Sequence, residues 1–467
     1  MLVVVSDMHL ADGSAGEHNL EPQVYHDLLD QIATAHAKVR QFNPHSRVEI
    51  VYAGNIFELR RTHFWFEQGD HKPWRHFGVV NSSSMARPPQ GGEYLERATS
   101  LFTRVMTHPN VAPIKGILGD RLADRFGGVE PLRAYLPGDA DRLINMHPDL
   151  RLRVIDFLGL DLGREQPWNP DARFPNTWLD PYHGVFIRHG HEWDVYSFEG
   201  KASGGVVQPE DYDNIPMSDL ITTELFARLT YEASVLQGSA EAPAEVVRAF
   251  NQKLQQIDNV RPVSSLVRWL GQHFESPLEK QLLSTCIERA LNNFKGQEYV
   301  KWWLSAAGHD KVWTPFDEAD RIEWLLEGLK HLWMGKVGPA LAVYDKFANY
   351  DPYARYVEHA ANEPALTQAN SPIHYIVYGH THHAEHVPLG MLGDGPSRRM
   401  THYVNTGSLR PTHTVTRDGR DFFVSESLDF AIFYRQDEKP GAMAPSFELR
   451  TLTRSRQLTA APGHQSA

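Results

Sequence analysis

The chain has 467 residues, 41% of them hydrophobic and 22% charged, with 46 basic against 58 acidic side chains and a formal net charge of −12. That profile fits a soluble globular protein with room for a sizeable core, and its acidic balance argues against a general nucleic-acid or anionic-membrane surface while leaving room for a local basic pocket. A single cysteine, Cys286, excludes an intrachain disulfide; no run approaches the ~18 apolar residues of a membrane span, and no basic leader precedes the first strand-like run, so a cytoplasmic, reducing location is expected.

Leu2 to Val5 reads as a strand buried on both faces, followed at once by Asp7 and His9. Two apart in an extended segment, those side chains point the same way, and a carboxylate with an imidazole is half of a metal site. Pro22 to Phe42 has helical periodicity through Val24, Leu28, Leu29 and Ile32, and Pro44 ends it. Val48 to Tyr52 is a second strand, ending in Ala53, Gly54, Asn55 and, one turn on, Glu58. Strand, helix, strand predicts parallel pairing by a right-handed crossover, with ligands beyond the carboxyl ends of the strands. Residues 66–92 are polar and rich in Pro, Gly and Ser, as in a long loop or lid, and Glu93 to Thr107 looks helical.

Arg133 to Leu136 is a short strand running into Gly138, Asp139, Ala140, Asp141 and Arg142. Gly184 to Arg188 is another, followed by His189, His191 and Glu192. From about Val195 to Thr367 strand signals vanish and helical patterns replace them, such as Leu278, Leu282 and Cys286 beside Leu283, Ile287 and Ala290. Strands return at His374 to Tyr378, which leads to Gly379, His380 and His382, and at Met400 to Val404, which leads to Asn405 to Ser408. The remainder to Leu452 reads as antiparallel hairpins, and 453–467 as a polar, disordered tail.

Five strand ends thus carry Asp7 and His9, Asn55, Asp139, His189, and His380 with His382. Imidazoles mixed with carboxylate and amide oxygens suit Mn, Fe, Zn or Ni better than Ca or Mg. So many ligands exceed the needs of one ion, which makes two divalent ions, Mn first among the candidates, the economical reading; such a pair can activate water against a phosphoryl group.

In that order, Asp7-x-His9, Gly54-Asn55, Gly138-Asp139-Ala140-Asp141, His189 and Gly379-His380-x-His382 resemble the motifs of the calcineurin-like metallophosphoesterase superfamily. The resemblance covers Leu2 to about Asp194 and Ile373 to about Ser408. It implies an α/β (α+β) fold, a four-layer αββα sandwich, made of residues 1–194 and 368–452; the large all-helical insertion at 195–367, read from its own periodicity, falls outside it. It also implies a dinuclear centre, with Asp7, His9 and His382 on one ion, residue 139, His189 and His380 on the other, and residue 55 between them.

The chain departs from that pattern at three positions. Asn55 stands where the family has a bridging Asp, and Asp139-Ala140 where it has Asn-His. A neutral amide is a poor bridge between two cations, while Asp139 restores the lost negative charge on one side. Ala140 occupies the place of the family's catalytic His, and losing such a group lowers rates by about 10²–10⁴-fold. Three readings of the changes compete: a natural divergent branch using one metal or a shifted pair, a fold kept as a binding scaffold, or a recently or deliberately altered, inactivated version of an ordinary phosphoesterase. Retention of Asp7, His9, His189, His380 and His382 favours the last.

The resulting expectation is a metal-dependent phosphomonoesterase or phosphodiesterase, impaired in this version, acting on a phosphate-ester small molecule or nucleotide. Asp139, the Ala140 position, Arg142 and Arg188 are the candidate catalytic positions, the two arginines as phosphate ligands at the crevice rim. Glu58 is placed to hold a ligand histidine. The rivals are a non-catalytic scaffold whose helical insertion binds a protein partner, and a nuclease, which the net charge does not favour.

Overall fold

The opening run forms β1 (Leu2–Val5), and its alternation decides what lies on either side of it. Leu2 and Val4 enter one apolar cluster while Val3 and Val5 enter another, as the two-residue period of a strand requires. In this computed structural model the described residues are 1–67, 92–200, 206–236, 243–261, 265–307, 353–394, 398–418 and 420–455. They form a mixed α/β structure with two multi-stranded sheets.

The strands that follow are β2 (Glu49–Ala53), β3 (Leu132–Leu136), β4 (Thr177–Asp180), β5 (Val185–Arg188), β6 (Val260–Arg261) and β7 (Tyr375–Tyr378). The last five are β8 (Ala384–Leu392), β9 (Arg399–Thr406), β10 (Leu409–Val415), β11 (Phe422–Tyr434) and β12 (Ser446–Ser455). The first sheet runs β3-β2-β1-β11-β10-β6, with β12 beside β11; the second runs β4-β5-β7-β9-β8. β1, β2 and β3 pair in parallel, as do β5, β7 and β9, so the carboxyl ends within each set lie together.

Both sheets contribute to one shared apolar cluster: Leu2, Val4, Val51, Ala53 and Leu136 from the first meet Val185, Ile187, Val377 and Val404 from the second. The opposite face of the first sheet packs on helices Pro22–Arg40, Gly92–Thr107 and Pro148–Leu158. The opposite face of the second packs on Tyr356, Ala360 and Leu366. Helix Pro22–Arg40 starts on proline and ends on Lys38 and Arg40, which suits its dipole.

Residues 215–303 hold a separate helical cluster. Its longest helix, Pro277–Gly296, begins with a Ser276–Glu279 capping box and buries Leu282, Leu283, Cys286, Ile287 and Ala290. The expected absence of strands from 195–367 is corrected at one place: β6 lies inside that stretch and pairs in parallel with β10. A two-residue strand leaves no periodicity to read. The expected tail is also corrected at its start, because β12 pairs with β11 as far as Ser455; residues 456–467 lie outside the described residues. The lid expected at 66–92 is bounded by helices Phe64–Glu67 and Gly92–Thr107, and 68–91 lie outside the described residues. β8 was not anticipated, because Pro388 and Gly390 interrupt its pattern where the strand carries a register shift.

Candidate metal centre

Parallel pairing of β1 and β2 continues beyond the strands. The backbone N–H groups of Asp7, His9 and Leu10 donate to the carbonyls of Gly54, Asn55 and Ile56 at 3.0, 2.8 and 2.9 Å. Asp141 ties in the third turn by accepting from the N–H groups of Ile56 (2.9 Å) and Gly138 (2.6 Å). Following these paths puts Asp7, His9, Asn55, His380 and His382 at φ of 53°, 49°, 49°, 67° and 58°. They are five of the six non-glycine residues with positive φ among the described residues. Backbone strain of about 1–3 kcal/mol per residue persists only where the surroundings over-determine it, and it concentrates at functional sites. Gly54, at φ +84°, is needed for a second reason: a Cβ there would lie 2.2 Å from the His189 ring.

Two groups of side chains converge, Asp7 with His9 and His382, and Asp139 with His189 and His380; within each, the ligand atoms all lie within 4.8 Å of one another. In the first group the separations are 3.1 Å for His9 Nε2 to His382 Nε2, 3.4 Å for His9 Nε2 to Asp7 Oδ1 and 3.5 Å for His382 Nε2 to Asp7 Oδ1. Bonds of about 2.1 Å to one ion imply ligand separations of roughly 3.0–3.4 Å for octahedral to tetrahedral angles, so this triangle fits a divalent cation. His9 Nδ1 faces Glu58 Oε2 at 3.1 Å, leaving Nε2 as the ligand atom.

The second group is more committed. Asp139 Oδ1 lies 3.4 Å from His380 Nδ1 and 3.8 Å from His189 Nδ1. That oxygen also accepts from Asn55 Nδ2 at 2.9 Å, while Oδ2 accepts from Arg60 Nη1 at 2.8 Å. Asn55 Nδ2 donates to Asp7 Oδ1 as well, at 3.1 Å, and its Oδ1 accepts the Ala140 N–H at 2.8 Å. The amide therefore lies between the two groups and joins their carboxylates by hydrogen bonds.

Charges follow the contacts. Burial pushes the Asp7 carboxyl up, but His189, His382 and His9 outweigh it and hold the group well below the usual range. Asp139 is held down in the same way, against burial, by Arg60 and then His380 and His189. Burial lowers the His9 imidazole, yet Asp7 and Glu58 raise it overall; His382 falls well below its ordinary value, chiefly through burial. His380, between Asp139 and Asp194 Oδ2 (3.1 Å from Nε2), is pushed up to about 10 despite its burial.

The two arginines expected at the rim are engaged elsewhere. Arg142 Nη2 donates to Asp219 Oδ2 at 2.7 Å, and Arg188 pairs with Glu363 through Nε (3.0 Å) and Nη2 (3.2 Å). The guanidinium that reaches the ligand set is that of Arg60, which no spacing rule singled out, and Asp194 was missed likewise. His191 Nδ1 lies 3.0 Å from His189 Nδ1, and Glu192 accepts from Tyr212 and the Gly190 N–H. No family model, curated protein or solved structure matches the chain. Among the described residues no helix is long and apolar enough to cross a membrane.

Proposed function

We propose that the chain is a metal-dependent phosphoesterase of the calcineurin-like metallophosphoesterase kind, working with impaired chemistry on a small phosphate ester or nucleotide. The observation that carries this reading is the convergence of two groups, each of one carboxylate and two imidazoles, from the ends of β1, β3, β5 and β7. Two sheets sharing an apolar cluster, with helices on both outer faces, are what a four-layer αββα sandwich requires.

In this reading Asp7, His9 and His382 hold the ion, and Glu58 sets the orientation of the His9 ring. When bound, a divalent cation there supplies Lewis acidity toward a phosphoryl oxygen and toward water, and mixed imidazole–carboxylate ligation suits Mn first, then Fe, Zn or Ni. Arg60 and His380 place positive charge beside Asp139, where the charge of a transferring phosphoryl group would be met. Ala140, a buried methyl, supplies neither a proton nor a charge to the leaving oxygen.

The test is hydrolysis of an aryl phosphate monoester and a diester with Mn present. Slow turnover that disappears in His382→Ala is expected, and Ala140→His should raise it by about 10²–10⁴-fold. If both the natural chain and the Asn55→Asp, Asp139→Asn, Ala140→His variant leave both esters intact, the enzyme reading is wrong. A metal-binding scaffold, favoured by the amide of Asn55 and the methyl of Ala140, then takes its place.

A further inference from the structure

We infer that the chain takes one divalent cation, at Asp7, His9 and His382, and that the Arg60 guanidinium is the built-in cation of the Asp139 half. The inference rests on reading the first group as a metal site and concerns what occupies the second.

Its first ground is the orientation of Asn55. A backbone N–H only donates, so the Asn55 atom 2.8 Å from the Ala140 nitrogen has to be the amide oxygen. The NH2 end is then the end facing Asp7 Oδ1 and Asp139 Oδ1, at 3.1 and 2.9 Å. Turning the amide over would set two donors against each other at Ala140 and give up both carboxylate bonds. The position between the halves is therefore filled by a hydrogen-bond donor, where two neighbouring cations would need a shared anionic oxygen.

Its second ground is Arg60. The guanidinium is buried and held by Glu58 from two directions, Nε to Oε1 at 3.1 Å and Nη2 to Oε2 at 3.2 Å, before it reaches Asp139 Oδ2 at 2.8 Å. Its backbone N–H also donates to Glu58 Oε1 at 2.9 Å. The same Glu58 faces His9 Nδ1, so the residue that orients a ligand of the first half also fixes the cation of the second. A divalent ion on Asp139 would stand against this permanent charge in a site with little solvent to screen it.

The test is metal counting on the full chain equilibrated with excess Mn(II) and desalted, by elemental analysis and electron paramagnetic resonance. One Mn per chain with the spectrum of an isolated ion is expected. Two per chain, or the spectrum of a spin-coupled pair, overturns the inference and leaves the metal-centre reading in place. The ion should remain in Asp139→Ala and be lost in His382→Ala; the reverse pattern also overturns it. In Asn55→Asp with Arg60→Met the count should rise to two, and if that variant does not fold, the count on the natural chain decides. No ion at all overturns both the inference and the metal-centre reading. One isolated ion in a protein that cleaves no phosphate ester supports the inference and removes the hydrolytic function.

Discussion

Glu58 faces His9 Nδ1 at 3.1 Å on one side and takes up Arg60 on the other, so removing its carboxylate acts on both halves of the centre. Partners that orient a metal-ligating histidine are worth about 10–100-fold in affinity. Glu58→Ala should therefore weaken Mn binding by that factor in a calorimetric titration; an unchanged dissociation constant would show that His9 needs no such partner. Asp429 allows a cleaner test of charge. It is buried beneath the Ser408 N–H, and burial pushes its carboxyl up to about 7 against the opposing hydrogen bonds from Ser408 and Thr451. A folded-state value above the unfolded one means the folded state binds more protons between about pH 4 and pH 7. Stability from this residue is then full at acid pH and falls as pH rises through that window, by up to a few kcal/mol. Asp429→Asn should unfold at a higher temperature than the natural chain at pH 7.5, with the gap closing at pH 4.5; a gap independent of pH would refute the linkage. Glu58 was legible in the sequence because it follows Asn55 by one turn. Arg60 was not, since its partners Asp139 and Asp219 lie 79 and 159 residues away and only the fold brings them to it.

Strands that carry the candidate ligands were readable because each joins an apolar run to a Gly or polar turn, the junction at which the two Asp/His groups converge. Helices within the 195–367 stretch, such as Pro277–Gly296, were readable from their periodicity, but the attachment of the segment to the first sheet was not. β6 is two residues long, and what fixes it is charge: Asp258, just before it, accepts from Arg410 Nη2 at 2.9 Å and pairs with Arg61, while its carbonyl accepts from Arg261 Nη1 at 2.7 Å. Arg61 and Arg410 come from the β2 turn and from β10, so one carboxylate joins the helical segment to the first sheet. Breaking a buried ion pair from one side strands the other charge, at about 3–5 kcal/mol. Asp258→Ala should lose stability on that scale in urea denaturation, and β6 amides should exchange faster. A loss under about 1 kcal/mol would mean that water reaches these arginines and the cluster is not the fastening.

Across the molecule, the candidate centre lies where the two sheets meet. Asp7 and His9 follow β1 of the first sheet and His382 follows β7 of the second, while the His380 N–H already donates to Asp7 Oδ2 at 2.8 Å. An ion held by Asp7, His9 and His382 would add a crosslink between layers that already share an apolar cluster and hydrogen bonds such as Ser6 Oγ to Thr406 Oγ1 at 2.7 Å. An ion that binds only the folded chain stabilises it by about 2.7 kcal/mol at a hundredfold excess over its dissociation constant. For a chain of this size that is a rise of a few degrees in Tm. Adding Mn(II) to chelator-treated protein should produce that rise, and slower amide exchange should appear together at the ends of β1 and β7. Unfolding should also become more cooperative, because the sheets would be tied at their functional edge as well as through their core. His382→Ala removes the only ligand of this group supplied by the second sheet, so it should abolish both the Tm increment and the protection at β7. If the increment survives in that variant, the ion binds within the first sheet alone, and the two layers meet at the site without being joined by it.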